Sequence, residues 1–186
     1  MQLHAVLVRA FADTGAVVRG VTPEQLGAPT PCADWDVRAL TNHVLQVGYA
    51  LKLAGRRAPA PDDLWTRDLI GADGPSDRFE DDRRDALEAW SEPATWDGKV
   101  DLGMPMTAAE AVTMLVSDLA IHGWDLARAT GRDYLCDPAV AVVTRDFVAA
   151  SGDQGRQMKI FGEALPVPSG ATPFEEALAL SGRAPR

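Results

Sequence analysis

The sequence predicts an all-α protein: a four-helix bundle with one long crossover and a short C-terminal extension. Apolar residues recur at intervals of three and four in several separate segments, and stretches rich in Gly and Pro punctuate those segments. The chain has 186 residues, 46% hydrophobic but only 6% aromatic, which suits one core built mainly from Ala, Val and Leu. Residues 1–186 are expected to form a single helical domain, with the extension covering about 153–186.

The first helix is expected from Leu3, Val6, Leu7, Ala10, Phe11, Val17 and Val18, with Gly20 placed to stop it in a left-handed conformation. Three prolines in VTPEQLGAPTPCADWD make the next stretch a loop. A second helix follows from Val37, with Leu40, Val44, Val47, Leu51 and Ala54 on one face and Asp34 or Asp36 as N-cap. The segment AGRRAPAPDDLWTRDLIGADGPSD reads as the crossover, which Trp65 is expected to pin down. A charged helix runs from Ser76 to about Trp90, with Phe79, Ala86, Leu87 and Trp90 inward and its Asp and Arg residues outward. TWDGKVDLGMPM, with its Asp97-Gly98 pair, predicts a loose hairpin or extended loop.

Thr107 and Glu110 form a capping box, in which each side chain satisfies a free backbone donor, and Gly131 offers a stop, so a helix is expected over roughly 108–130. Asp137-Pro138 starts another through about Ala150, with Val140, Val143 and Phe147 as core stripe and Gly152 after it. The tail runs extended through its prolines and ends in one short helix capped by Thr172.

The formal charge of −9 argues against nucleic acid as a partner, because affinity for phosphate backbones comes from clustered Lys and Arg. No run approaches the roughly 20 apolar residues of a membrane span, so no membrane association is expected. The opening residues lack the basic segment, apolar run and cleavage site of a signal peptide, and a cytoplasmic location is the expectation. Cys32 and Cys136 match neither a disulfide framework nor a CxxC pattern.

The three histidines are His4, His43 and His122. His4 lies in the first turn of the first helix with no titratable partner suggested by the pattern. Asp118 and His122 are four apart, one above the other on a helix face that also carries Ala111, Leu115 and Ala129. A carboxylate pointing into a bundle is costly unless it is paired or metal-bound. His43, beside Leu40 and Val47, also points inward and offers a third ligand. Two imidazoles and a carboxylate are a common set for a catalytic metal with open positions, although a D-x-x-x-H pair equally fits an ordinary intrahelical contact.

The stretches TPCADWDVRALTNHV and DLAIHGWDLARATGR, with the tail FGEALPVPSGATPFEEALALSGR, resemble the DinB/YfiT-like metalloprotein superfamily. More narrowly, they are similar to the actinobacterial group related to the N-terminal metal-binding domain of mycothiol-dependent maleylpyruvate isomerase. The resemblance implies a DinB-like four-helix bundle with a divalent metal held by His43, Asp118 and His122. Zinc is the first choice of ion, with nickel, iron and manganese as alternatives. Asp125 and Arg128 are candidates for hydrogen bonds that support the ligands. Cys32 is expected to pack under its loop as a small apolar residue, and Trp35 and Trp124 to pack around the site. The implied function is that of a metal-dependent enzyme, a thiol S-transferase or isomerase, using or transferring a low-molecular-weight thiol such as mycothiol. Its partners would be that small-molecule thiol or an electrophile. A metal-dependent hydrolase, or a non-enzymatic metal-stabilised binding or stress-response module, stays open, as does a homodimer.

Overall fold

The computed structural model describes residues 2–32, 34–71 and 74–185. Among the described residues six helices carry the fold: α1 (Gln2–Val18), α2 (Val37–Gly55), α3 (Pro75–Ser91), α4 (Ala108–Ala129), α5 (Pro138–Gln157) and α6 (Pro173–Leu180). A two-stranded antiparallel hairpin, β1 (Lys99–Asp101) and β2 (Pro105–Thr107), precedes α4. In the bundle α2 packs on α3 and α4, and α1 packs on the same two helices. On the outer side α5 lies against α4 and α6 against α5. Among the described residues no helix is long and apolar enough to cross a membrane.

The predicted stripes meet in one core that includes Leu7, Phe11, Leu40, Val44, Leu51, Leu115 and Leu119. Burying a side chain of this kind stabilises by about 1.5–3 kcal/mol, which is what holds the four helices in contact. Asp36 is the N-cap of α2, its carboxylate accepting from the Ala39 amide at 2.7 Å. The Thr107–Glu110 and Thr172–Glu175 capping boxes both form. Gly131 adopts the left-handed conformation (φ 68°) that ends α4, and the Arg132 amide closes back on the Ala127 carbonyl at 2.8 Å.

Several expectations are corrected. Gly20 does not take the left-handed conformation. It stays small because the Arg132 side chain crosses it and donates to its carbonyl. The hairpin turns at Leu102–Met104, where Gly103 has φ 101°, whereas Gly98 only leads the chain into β1. Helix α5 continues past Ala150 to Gln157, since Gly152 and Gly155 lie under the side chains of Arg156 and Phe161 and are buried within the helix. Its buried stripe is Val140, Ala141, Thr144 and Val148, with Val143 and Phe147 only half-buried. Asp82 of α3 is buried rather than outward, held by Lys52 at 3.0 Å and by Arg78. The crossover is anchored by Leu64 and Leu69, while Trp65 is 41% exposed.

Helices α1 and α4 approach closely at Gly123, and the Thr14 hydroxyl donates to the Leu119 carbonyl at 2.9 Å across the same crossing. A Cβ on Gly123 would lie 2.8 Å from the Tyr134 ring and 2.9 Å from Thr14 Oγ1. Gly123→Val is therefore expected to destabilise the protein by about 1–3 kcal/mol through overpacking, read as a lower urea midpoint.

Candidate metal centre

His43 comes from α2, and Asp118 and His122 from α4, one helical turn apart. The Asp118 carboxylate lies between the two imidazoles. Oδ1 is 3.1 Å from His122 Nε2, while Oδ2 and Oδ1 are 3.2 and 3.4 Å from His43 Nε2. One donor atom from each residue lies within 4.8 Å of the other two. Ligands about 2.0–2.1 Å from a tetrahedral ion stand roughly 3.3 Å apart, so the spacing of these nitrogens and oxygens fits a small divalent ion. The side chains of His43, Asp118 and His122 are 17%, 26% and 13% exposed, which leaves the group in reach of solvent.

The loop before α2 is folded so as to cover this group. A bridge pairs Pro29 with Asp36, and the Val37 amide donates to the Ala28 carbonyl at 2.9 Å. Within that loop the Thr30 hydroxyl accepts from the Cys32 amide at 3.1 Å and donates to the Trp35 carbonyl at 2.7 Å. Trp35 is thereby laid against both imidazoles, its ring centre 4.7 Å from that of His43 and 5.5 Å from that of His122. On another side Trp65 stands 6.1 Å from the His43 ring. Its segment is tied to α2 by Asn42 and Gln46, which donate to the Arg67 carbonyl at 3.0 and 2.7 Å, and by the Leu69 amide, which donates to Asn42 Oδ1 at 2.7 Å.

Behind His122 lies a second polar group. Nδ1 of His122 is 3.0 Å from Oδ2 of Asp125, a carboxylate with no solvent exposure. Arg183, from the turn after α6, donates to Asp125 through Nε (2.8 Å to Oδ1) and Nη2 (2.8 Å to Oδ2). Cys32 joins the same group, its sulfur 3.3 Å from Asp125 Oδ2, 3.2 Å from Arg183 Nη2 and 3.7 Å from His122 Nδ1. The thiol therefore sits among charges and not in an apolar pocket under its loop. Asp125 takes the supporting position that the resemblance implies, whereas Arg128 is exposed and lies over Trp124 at 5.8 Å. Trp124 itself is buried in the core. Arg183 has no local signature: it meets Asp125 across 58 residues. Among the described residues His4 belongs to neither group.

Burial alone would raise the Asp118 carboxyl, but the adjacent imidazoles of His43 and His122 outweigh it and hold it well below the usual carboxylate range. Burial would likewise lower His122, yet the carboxylates of Asp118 and Asp125 raise it well above its ordinary value. Asp125 is lowered in spite of burial, by hydrogen bonds from His122 and Arg183.

Comparison with known proteins follows the same lines. Two uncharacterized proteins of Mycobacterium tuberculosis, Rv0738 (strain ATCC 25618 / H37Rv) and MT0763 (strain CDC 1551 / Oshkosh), are each 28% identical to this chain, over 100% of it and 98% of their own length. The crystal structure of mycothiol-dependent maleylpyruvate isomerase superimposes with a TM-score of 0.58 at 14% identity, covering 88% of this chain and 73% of the isomerase. A histidine-to-alanine variant of that enzyme gives the same TM-score at 15% identity and the same coverage. These structures share the all-α, DinB-like bundle. The sequence pattern of the mycothiol maleylpyruvate isomerase N-terminal domain matches residues 7–127, a span that takes in α2, all but the C-terminal end of α4 and all three clustered ligand candidates, and the chain belongs to that family.

Proposed function

We propose that the chain is a divalent-metal-dependent enzyme that uses or transfers a low-molecular-weight thiol, mycothiol being the candidate supported by the family. The observation that carries this reading is the convergence of His43 Nε2, His122 Nε2 and the Asp118 carboxylate at the spacing of ion ligands, on a side of the bundle that solvent reaches. Zinc suits this donor set, as do nickel, iron and manganese. An ion bound there would lower the pKa of a coordinated thiol and favour its thiolate at neutral pH.

The chain's own residues supply the rest. Asp118 would offset the charge of such an ion, which neutral imidazoles could not do alone. Asp125 accepts from His122 Nδ1 and so directs the Nε2 lone pair toward Asp118 and His43. Trp35 covers one flank of the imidazoles and limits water there, while the exposed Trp65 offers an apolar face to whatever approaches His43. A thiol-transfer assay on metal-loaded and chelator-stripped protein tests the reading, and equal rates would overturn it.

Elemental analysis is expected to find about one divalent ion per chain in metal-supplemented protein. His122→Ala removes that ion, whereas Cys32→Ala leaves it nearly in place, because the thiol is not among the three converging ligands. Asp118→Asn preserves shape but discards the offsetting charge. In competition titrations with a chelator it is expected to weaken binding by at least tenfold, whereas a merely surface ion pair would cost well under about 1 kcal/mol.

Metal binding should also release a proton. The carboxylates of Asp118 and Asp125 raise His122 well above its ordinary value in spite of burial, so an ion competes with a proton for Nε2. Affinity then rises with pH, and calorimetry in buffers of different ionisation enthalpy measures the proton released. In the metal-free protein the sign of the stability effect is opposite for the two partners. The raised His122 stabilises below its unfolded value and loses this as pH climbs through the folded one. The lowered Asp118 stabilises above its unfolded value and loses this as pH falls toward the folded one.

A further inference from the structure

We infer that Arg183 is a positioning residue for His122: its guanidinium clamps the Asp125 carboxylate so that Oδ2 holds the Nδ1 proton of His122 and leaves Nε2 facing Asp118 and His43. The inference goes beyond the proposed function, and only one of its two readouts depends on that reading.

The argument starts at α6. Phe174, Ala177 and Leu178 bury its inner face, and the Leu165 amide donates to the Ala179 carbonyl at 2.9 Å. The helix ends with Gly182 in the left-handed conformation (φ 87°), and the Arg183 amide returns to the Leu178 carbonyl at 2.8 Å. A side chain on Gly182 is excluded twice, by that φ and by Gly162, whose Cα would lie 2.8 Å from a Cβ there. The turn thus has one conformation, and it sends Arg183 inward rather than into solvent. The arginine side chain is only 9% exposed, and Nη1 also donates to the Ser181 carbonyl at 3.3 Å.

Among the described residues, Asp125 has Cys32, His122 and Arg183 as its side-chain hydrogen-bond partners. The two Arg183 bonds run side by side, Nε to Oδ1 and Nη2 to Oδ2, which fixes the plane of the carboxylate as a single-point contact cannot. Once that plane is fixed, Oδ2 still has a lone pair directed at Nδ1 of His122. The same Nη2 donates to Cys32 Sγ, so the guanidinium takes the place of a cation between the thiol and the carboxylate. Cys32, His122 and Asp125 have donor atoms spaced as if for an ion of their own, and Arg183 occupies two of the three. His122 is left to turn its other nitrogen to the ligand group.

The test compares wild type with Arg183→Met, which keeps the length and removes the fork, and with Arg183→Lys, which keeps the charge but not the paired bonds. In metal-free protein labelled with 15N at histidine, His122 Nδ1–H is expected as a low-field proton protected from water. It should be lost by exchange in Arg183→Met and weakened in Arg183→Lys. In cobalt competition titrations affinity is expected to fall about 10–100-fold in Arg183→Met, with Arg183→Lys between the two. Circular dichroism and melting curves identify any variant that fails to fold, in which case Arg183→Lys alone decides. A protected Nδ1–H in the folded variants, indistinguishable from wild type, overturns the inference. Failure of wild type to take up cobalt would instead overturn the metal reading, and the metal-free spectra would still decide the role of Arg183.

Discussion

Taking a carboxylate out of water costs several kcal/mol unless cations or hydrogen-bond donors replace the solvent, and α4 carries two such carboxylates, Asp118 and Asp125, on largely buried turns. Each is satisfied by a different edge of the same ring: Asp118 meets His122 Nε2 and Asp125 meets His122 Nδ1. The imidazole is the hinge of the whole arrangement. His43 must come from α2 to complete the first pair, and Arg183 must come from the turn after α6 to complete the second. The packing of α2 and of the α5–α6 layer against α4 is therefore under polar constraint as well as apolar, and a small shift of either would strand a buried charge.

Apolar packing and polar satisfaction are divided between the ends and faces of α4. Its inner face supplies Leu115 and Leu119 to the core, and Gly123 lets α1 come close just where the polar turn begins. A side chain at Gly123 would disturb the position of its neighbour His122 in addition to the core. The site thus depends on a residue that contributes no ligand atom, one whose value is the absence of bulk.

Much of this was legible in the sequence where the physics is local. The capping box at Thr107, the cap at Thr172 and the stop at Gly131 depend on residues three or four apart, and the structure has them as expected. The inward direction of His43, Asp118 and His122 follows from the 3.6-residue period, although the period alone left an ordinary intrahelical contact open and the resemblance was needed to single out the three. What could not be read is what depends on distant partners. Gly152 looks like a helix stop until Arg156 is seen to cover it. Cys32 looks like a packed thiol because the charges it meets, Asp125 and Arg183, lie 93 and 151 residues away in the chain. Arg183 is one of several arginines with no distinguishing local pattern, and its direction is set by Gly182 and by the docking of α6.

The turn at Gly182 also introduces an order in time. Arg183 follows Asp125 by 58 residues, so at ordinary translation speeds the ligand helix waits roughly 3–12 s for its guanidinium. During that interval α1 to α4 are already synthesised, while the thiol of Cys32, the carboxylate of Asp125 and the inner nitrogen of His122 have no arginine between them. Until α6 docks, the Asp125 carboxylate beside His122 Nδ1 lacks the guanidinium that pairs with it in the folded chain. The arginine closes one face with a cation that belongs to the protein itself, which leaves the Nε2 face, toward Asp118 and His43, as the one it does not fill.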